Sequence, residues 1–261
     1  MAHEASEKQT VSAFLRVKNE IKTIEACLNS IDGVFDKIVI IHSNEKDDGS
    51  VAFMNKWCSK RKECEIHEYP FAVVPSHDQR YVQKTVPYEN TLAAYNNFGL
   101  KFFEPEEWVV KIDGDQVYIK DRLEKAVAFI KTKANPGKGY GLCGYNTFNW
   151  KGYFVKFKNT PINGKGGDSF IVKRKYISDF YQMRNFEAIS LKTNDRTHVL
   201  KEPVWFHFMK SLKLRGVIRK TDDASVDEVA FLDEDEKRLF NENILPYLEN
   251  SPYRGLKLEN D

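Results

Sequence analysis

Residues Trp108 to Tyr118 read WVVKIDGDQVY, and the way this stretch ends decides the fold. Trp108, Val109, Val110 and Ile112 make a short apolar run that fits the interior of a mostly parallel sheet, although period alone also allows a buried helix. At its end stand Asp113 and Asp115, separated by Gly114, which lets the backbone turn closely. A strand that stops at two acids presents both carboxylates at the carboxyl edge of a sheet, where open α/β sheets bind their ligands. Carboxylates this close raise each other's pKa unless a cation lies between them. A hard divalent ion on oxygen ligands, Mn2+ or Mg2+, is the expected cation, and it could in turn hold a diphosphate.

Upstream, VSAFLRV (11–17) reads as a first strand closed by Lys18, Asn19 and Glu20. Ile21, Ile24, Ala26, Cys27, Leu28 and Ile31 recur at helical spacing and predict a helix. DKIVIIH (36–42) is a nearly pure apolar second strand. Its end, SNEKDDGS, offers Asp47 or Asp48 as a cap for a helix running to about Lys60. Glu65 to Tyr69 is a short third strand, so β-α-β-α-β is complete before residue 70, as a doubly wound, nucleotide-binding sheet begins. Residues 70–87 have no period, and so long a loop in a compact domain is usually functional. Residues 88–103 predict a helix feeding the key strand.

Downstream, 120–132 predicts a helix, and 139–149 with 151–159 predict a hairpin. GKGG (164–167) is a loop, DSFIVKRK opens a strand or helix, and VWFHF (204–208) is expected to be the last apolar strand. The acidic tail is expected to supply one or two outer helices. No repeat or linker interrupts the 261 residues, which predicts one domain. Its parts are about 11–125, about 126–220 and a tail at about 221–261.

An apolar fraction of 41%, with 18 Phe and 12 Tyr, provides for a core. Net charge is +2, so no nucleic-acid partner is expected. Cys27, Cys58, Cys64 and Cys143 form no CxxC pair, and reduced thiols in a cytoplasmic protein are the expectation. The first ten residues do not resemble a signal peptide, and no apolar run reaches the ~20 residues of a membrane span. The basic run 210–220 reads plainly as a solvated face. Its functional alternative is peripheral contact with anionic lipid at the inner face of a membrane.

The ends of the first, second and key strands point the same way in a parallel sheet, so their polar residues converge. These are Arg16, Asn19 and Glu20, then Asn44, Glu45 and Asp48, then Asp113 with Asp115. Each also has a plainer reading. The two aspartates could form a solvated turn, Asp48 a helix start, and Arg16 an ion pair with Glu20. His207 alternates away from Phe206 and Phe208 and could be an ordinary histidine. Tyr145, Trp150 and Tyr153 are core by default and sugar-stacking surfaces otherwise.

FLRVKNE (14–20), NEKDDGS (44–50) and EEWVVKIDGDQVY (106–118) together resemble the GT-A class of nucleotide-sugar glycosyltransferases. They resemble most the bacterial lipooligosaccharide β-1,4-N-acetylgalactosaminyltransferases. The likeness is good over 11–125 and patchy at 166–173 and 201–210. It implies a GT-A-like (Rossmann-like) α/β fold, with a mixed, mostly parallel sheet flanked by helices and a C-terminal helical tail. It implies metal ligands Asp113, Asp115 and His207, and a UDP-sugar site of Arg16, Asn19, Glu20, Asn44, Asp48, Lys111 and Asp113. Asp168 is implied as the base facing a glycan or glycolipid acceptor, with Glu202 as the competing acid. The transfer is expected to invert the anomeric centre in a single displacement.

Two other readings compete. IDGDQV matches the DxDxV motif of haloacid-dehalogenase-like phosphatases, in which the first aspartate is the nucleophile. That motif normally lies on the first strand, whereas here β-α-β-α-β precedes it. A non-catalytic nucleotide-sugar binder would keep the fold without turnover.

Overall fold

The computed structural model describes residues 9–45, 47–75, 78–158, 169–183, 187–192, 198–209, 212–214, 217–219, 221, 224–225 and 227–258. Its first half alternates β1 (Val11–Val17), α1 (Ile24–Ser30), β2 (Lys37–Ser43), α2 (Ser50–Cys58) and β3 (Cys64–Tyr69). A one-turn α3 (Gln79–Val82), α4 (Leu92–Gly99) and β4 (Trp108–Asp113) follow. Strands β3, β2, β1 and β4 lie side by side and all parallel, with Arg16 of β1 in register with Asp113 of β4. The apolar run of the sequence is therefore a central strand.

Alternation along β4 divides its side chains between two cores. Val110 and Ile112 pack with Ile24, Leu28, Met54 and Leu123 on the face covered by α1, α2 and α5 (Lys120–Thr132). Val109 faces the other way, against Ala93 and Tyr95 of α4 and Phe180 of a later hairpin. Lys111 and Asp113 share this second face by the same two-residue period. The period thus delivers a lysine and an acid, two residues apart, to one side of one strand.

The second half is largely antiparallel. A short β5 (Gln116–Tyr118) leads through α5 to β6 (Tyr140–Trp150) and β7 (Tyr153–Phe157), which form the expected hairpin. β8 (Phe170–Lys173) runs antiparallel to both β4 and β6 and joins the two halves in one sheet. Next come β9 (Ile177–Gln182) and β10 (Glu187–Leu191), a separate antiparallel pair packed on α4. β11 (His198–Phe208) runs parallel to β6 and antiparallel to β5, which brings His207 level with Gln116 and Asn146. β12 (Leu212–Leu214) pairs with β13 (Val217–Arg219), and β14 (Val229–Ala230) adds to β7. VWFHF is therefore the end of a longer strand rather than the last strand. The side chains of the basic run 210–220 lie outside the described residues.

The tail helix α6 (Glu234–Asn243) begins with a capping box between Asp233 and Glu236. Its Phe240, with Ile244 and Leu248 beyond it, packs on Phe154, Phe206 and Phe208. Burying each such ring contributes about 2–3 kcal/mol, which explains why an acidic segment stays on the sheet. No described helix is long and apolar enough to cross a membrane.

The cysteine expectation needs correction. Cys58, the last residue of α2, and Cys64, the first of β3, form a disulfide with Cα atoms 5.1 Å apart. The turn that returns the chain from α2 to the sheet edge brings them within bonding distance, a contact no CxxC spacing could announce. Cys27 and Cys143 are buried and take no part in this disulfide.

Candidate active site

A cleft of about 220 Å³ opens at the carboxyl edge where β1 and β4 end, lined by Arg16, Lys18, Glu20, Asp113, Asp115 and His207 among others. Its floor is the turn Asp113-Gly114-Asp115-Gln116. Gly114 lies in a tight approach, since a Cβ there would stand 3.2 Å from Cγ of Glu20 and that side chain would have to give by a few tenths of an ångström. Gln116, only 2% exposed, locks the turn: its Oε1 accepts from the Asp113 amide (3.3 Å), the Tyr118 hydroxyl (2.7 Å) and Ser169 Oγ (3.1 Å).

Asp113 is held by the protein's own cations. Lys111 Nζ lies 2.9 Å from both of its carboxylate oxygens, and Arg16 Nη2 lies 3.5 Å from one. Burial would push the Asp113 carboxyl up, but Lys111 and Arg16 outweigh it and hold it well below the usual carboxylate range. The expected mutual repulsion of the two aspartates is thus already relieved at Asp113 by a lysine. Lys111 itself is 2% exposed, so it reaches any ligand only through Asp113. Arg16 pairs with Asp113 and, at 2.5 Å, with Glu187 at the start of β10, rather than simply with Glu20. Burial raises the Glu187 carboxyl, and Arg16 and then Lys111 more than reverse that.

Asp115 has different company. Its Oδ2 lies 3.2 Å from His207 Nε2, and His207 Nδ1 lies 3.0 Å from Asn146 Oδ1. A ring whose Nδ1–H donates to Asn146 turns its Nε2 lone pair toward Asp115 and the cleft, the orientation a metal-binding histidine needs. Phe206 and Phe208 are fully buried on the opposite face, as the alternation predicts. From the tail, the Tyr253 ring packs on Phe208 with centroids 4.8 Å apart. Its hydroxyl is pushed up to about 12 by burial and by Asp115 and Glu20.

Among the described residues no three His, Cys, Asp or Glu side chains are grouped to hold a metal ion. The chemistry of Asp115 and His207 nevertheless fits one, since a carboxylate oxygen and an imidazole nitrogen lie side by side on the cleft wall. Asp113 presents both of its oxygens to Lys111.

The remaining expected residues divide. Glu20 lines the cleft, and Asn19, in the left-handed region at φ 55°, lines a smaller adjoining depression with Lys18, His42 and Glu45. Asn44 is exposed and donates to the Pro70 carbonyl at 2.7 Å, tying β2 to the loop after β3. Asp48 accepts from Ser50 Oγ (2.5 Å), Ser50 N (3.1 Å) and Ile21 N (3.2 Å), the plainer helix-start role extended to the neighbouring loop. Glu202 is exposed on β11, five residues before His207 and so roughly 16 Å along the strand. Asp168 and GKGG lie outside the described residues. Tyr145 packs on Phe206 at 4.9 Å, Trp150 Nε1 donates to the Ala224 carbonyl, and Tyr153 meets Phe231 edge-on, so all three are core and tail contacts.

Sequence reasoning missed Glu187, Asn146, Gln116, Lys18 and Tyr95. Lys18 donates to the Val73 carbonyl at 2.5 Å and pairs with Glu45, and the Tyr95 hydroxyl donates to the carbonyls of Val17 and Ile41. The apolar positions Ile177 and Phe180 in ISDFYQ (177–182) were the available hint of a hairpin over the site.

The overall fold is similar to that of TarS 1–349 from S. aureus in complex with UDP, with a TM-score of 0.50 and 13% identity. The match covers 77% of this chain and 61% of that one. GalNAc-T7 with UDP, GalNAc and Mn2+ also matches, at a TM-score of 0.45 and 9% identity over 80% of this chain and 45% of that one. This chain thus spans about 60% of the TarS fragment's length, and the likeness is one of fold, the GT-A type. No curated protein sequence matches it. Residues 4–237, most of the chain, match the family described as Beta-1,4-N-acetylgalactosaminyltransferase (CgtA), and the chain belongs to that family of glycosyltransferases.

Proposed function

We propose that the chain transfers a hexose or N-acetylhexosamine, with N-acetylgalactosamine the first choice, from a UDP-sugar to a glycan of a bacterial lipooligosaccharide or other surface polysaccharide. The observation that carries this is the convergence of Asp115, His207, Asp113, Arg16 and Lys18 on one cleft at the carboxyl edge of the sheet. Asp115 and His207 would hold Mn2+ or Mg2+, and Asn146 would fix the histidine tautomer for that task. A bound divalent ion supplies stabilisation of the charge that develops on a departing diphosphate.

The chain's own residues do the rest. Lys111 and Arg16 keep Asp113 ionised, so that it can accept hydrogen bonds from ribose or sugar hydroxyls. Lys18 and Arg16 put positive charge beside the diphosphate position, and Asn19 and Glu20 border the nucleoside side. The acceptor hydroxyl must lose a proton as it attacks, which requires a carboxylate within reach. Asp168 is our choice for that base, supported by its neighbour Ser169, whose hydroxyl is bonded to Gln116 in the floor of the cleft. The transfer is a single displacement with inversion. The phosphatase reading of IDGDQV is set aside on family membership.

A screen of nucleotide sugars by thermal shift, with Mn2+ and with chelator, tests the proposal. A true donor raises the melting temperature by mass action, and only with metal. Equal shifts in chelator would remove the metal from the mechanism. No shift with any UDP-sugar would remove the donor.

A further inference from the structure

Beside the cleft lies a larger groove of about 760 Å³, lined by Tyr81, Lys84, Tyr88, Thr91, Gln182 and Met183 among others. That volume is within the roughly 300–1,000 Å³ range of small-molecule sites. Three connections tie the groove to the cleft. Thr91 lines the groove, and the next residue, Leu92, lines the cleft. The Tyr81 hydroxyl donates to the Val74 carbonyl at 2.8 Å, next to Val73 of the cleft wall. Gln182 stands opposite Glu187 across the β9–β10 pair, and Glu187 grips Arg16. One rung of that hairpin therefore connects the groove to Arg16 of the cleft.

The groove's chemistry is amphipathic and its main ring is prepositioned. Tyr88 is 62% exposed, yet its hydroxyl is held by Asn97 Nδ2 at 3.0 Å. Asn97 is itself fixed by bonds to and from the Phe180 backbone at 2.8 and 2.7 Å. An exposed aromatic face anchored in this way loses little entropy when something stacks on it. Met183, 43% exposed, extends the apolar surface, while Lys84 stands on the rim and Gln182 donates to the Met183 carbonyl at 2.8 Å. A pyranose has the matching form, with an apolar C–H face and a rim of hydroxyls.

We propose that this groove seats the acceptor glycan, one sugar ring stacked on Tyr88, with the reactive end directed past Thr91 and Leu92 into the cleft. The proposal rests on the donor reading above and adds to it the place of the second substrate.

Four methionines make the test direct: Met183 lies in the groove and Met54 borders the depression next to the cleft. The full chain is labelled at its methionine methyls with 13C and titrated with UDP and Mn2+, then with lactose, cellobiose or maltose, and Met183→Leu assigns the signal. UDP is expected to move Met54, and the disaccharides to move Met183 and leave Met54 in place. Tyr88→Ala should weaken the sugar response about tenfold, near 1.4 kcal/mol, and Tyr88→Phe, which keeps the ring but loses the Asn97 anchor, should weaken it by less. If UDP moves Met54 but no disaccharide moves Met183, or if Tyr88→Ala changes nothing, the proposal falls and the donor reading stands. If sugars move Met183 while UDP moves nothing, the groove is a plain carbohydrate site and both readings fall. A Met183 response to phosphatidylglycerol vesicles alone would assign the patch to a membrane surface and overturn the proposal.

Discussion

On the β4 side of the cleft, Asp113 is enclosed by Lys111 and Arg16, with Glu187 behind the arginine. On the β5–β11 side, Asp115 meets a histidine whose other nitrogen rests on Asn146. The two acids are two residues apart in one turn, yet one is neutralised by strong cations from its own sheet and the other faces a ring that can release its nitrogen to a ligand. A motif written as two equivalent carboxylates thus divides into an acid enclosed by cations and an acid set against a histidine. Strand alternation enforces the division, since Lys111 shares a face with Asp113, while Asp115 lies beyond the turn, against β11.

The largest effect expected from this contrast is at Asp115. Asp115→Ala should lower glycosyl transfer about 10³-fold, close to 4 kcal/mol of transition-state stabilisation, while the urea midpoint barely moves. A steady-state assay beside a denaturation curve reads both, and a matched loss of stability would break the contrast. Lys111→Met should do the reverse first, leaving a buried carboxylate short of its main partner and costing about 3 kcal/mol of folding stability by urea titration. An unchanged urea midpoint would mean that Arg16 alone satisfies Asp113. Asn146→Ala should leave the fold in place and weaken Mn2+ binding by about 10–100-fold in calorimetry, because the histidine loses its orienting partner. At the small end, Glu202→Gln should stay within about twofold of wild type in activity and 0.5 kcal/mol in stability. A large loss of activity there would make Glu202 rather than Asp168 the base.

Much of the first half was legible because its signals are local. The span Val11–Val17 for β1 coincides with the structure, and the second, third and key strands agree within a residue. The convergence of strand ends followed from parallel topology alone. The expected helix over 88–103 is broken at Thr91, whose side chain caps α4, with a short 3-10 turn on either side. Roles that depended on which neighbour a polar side chain would find were read poorly. The contacts by which Asn44 and Asp48 hold loops together, for example, could not be read from composition. Glu187 belongs to a stretch that attracted no reading, yet it completes the charge network around Arg16.

The sequence by itself determined that a buried strand ends in two acids at a ligand-binding edge, and that a histidine near the end of another strand points away from its aromatic neighbours. Periods of two residues carry that information, and they operate within a few residues of chain. Only the tertiary structure decided which acid meets Arg16 and which meets His207. It alone brought Asn146 behind the histidine, Glu187 onto Arg16 and Cys58 beside Cys64. Except at the short turn that joins the two cysteines, those partners come together through strand registers and packing between segments far apart in the chain. Electrostatic pairing at 3 Å is set by that geometry rather than by residue type.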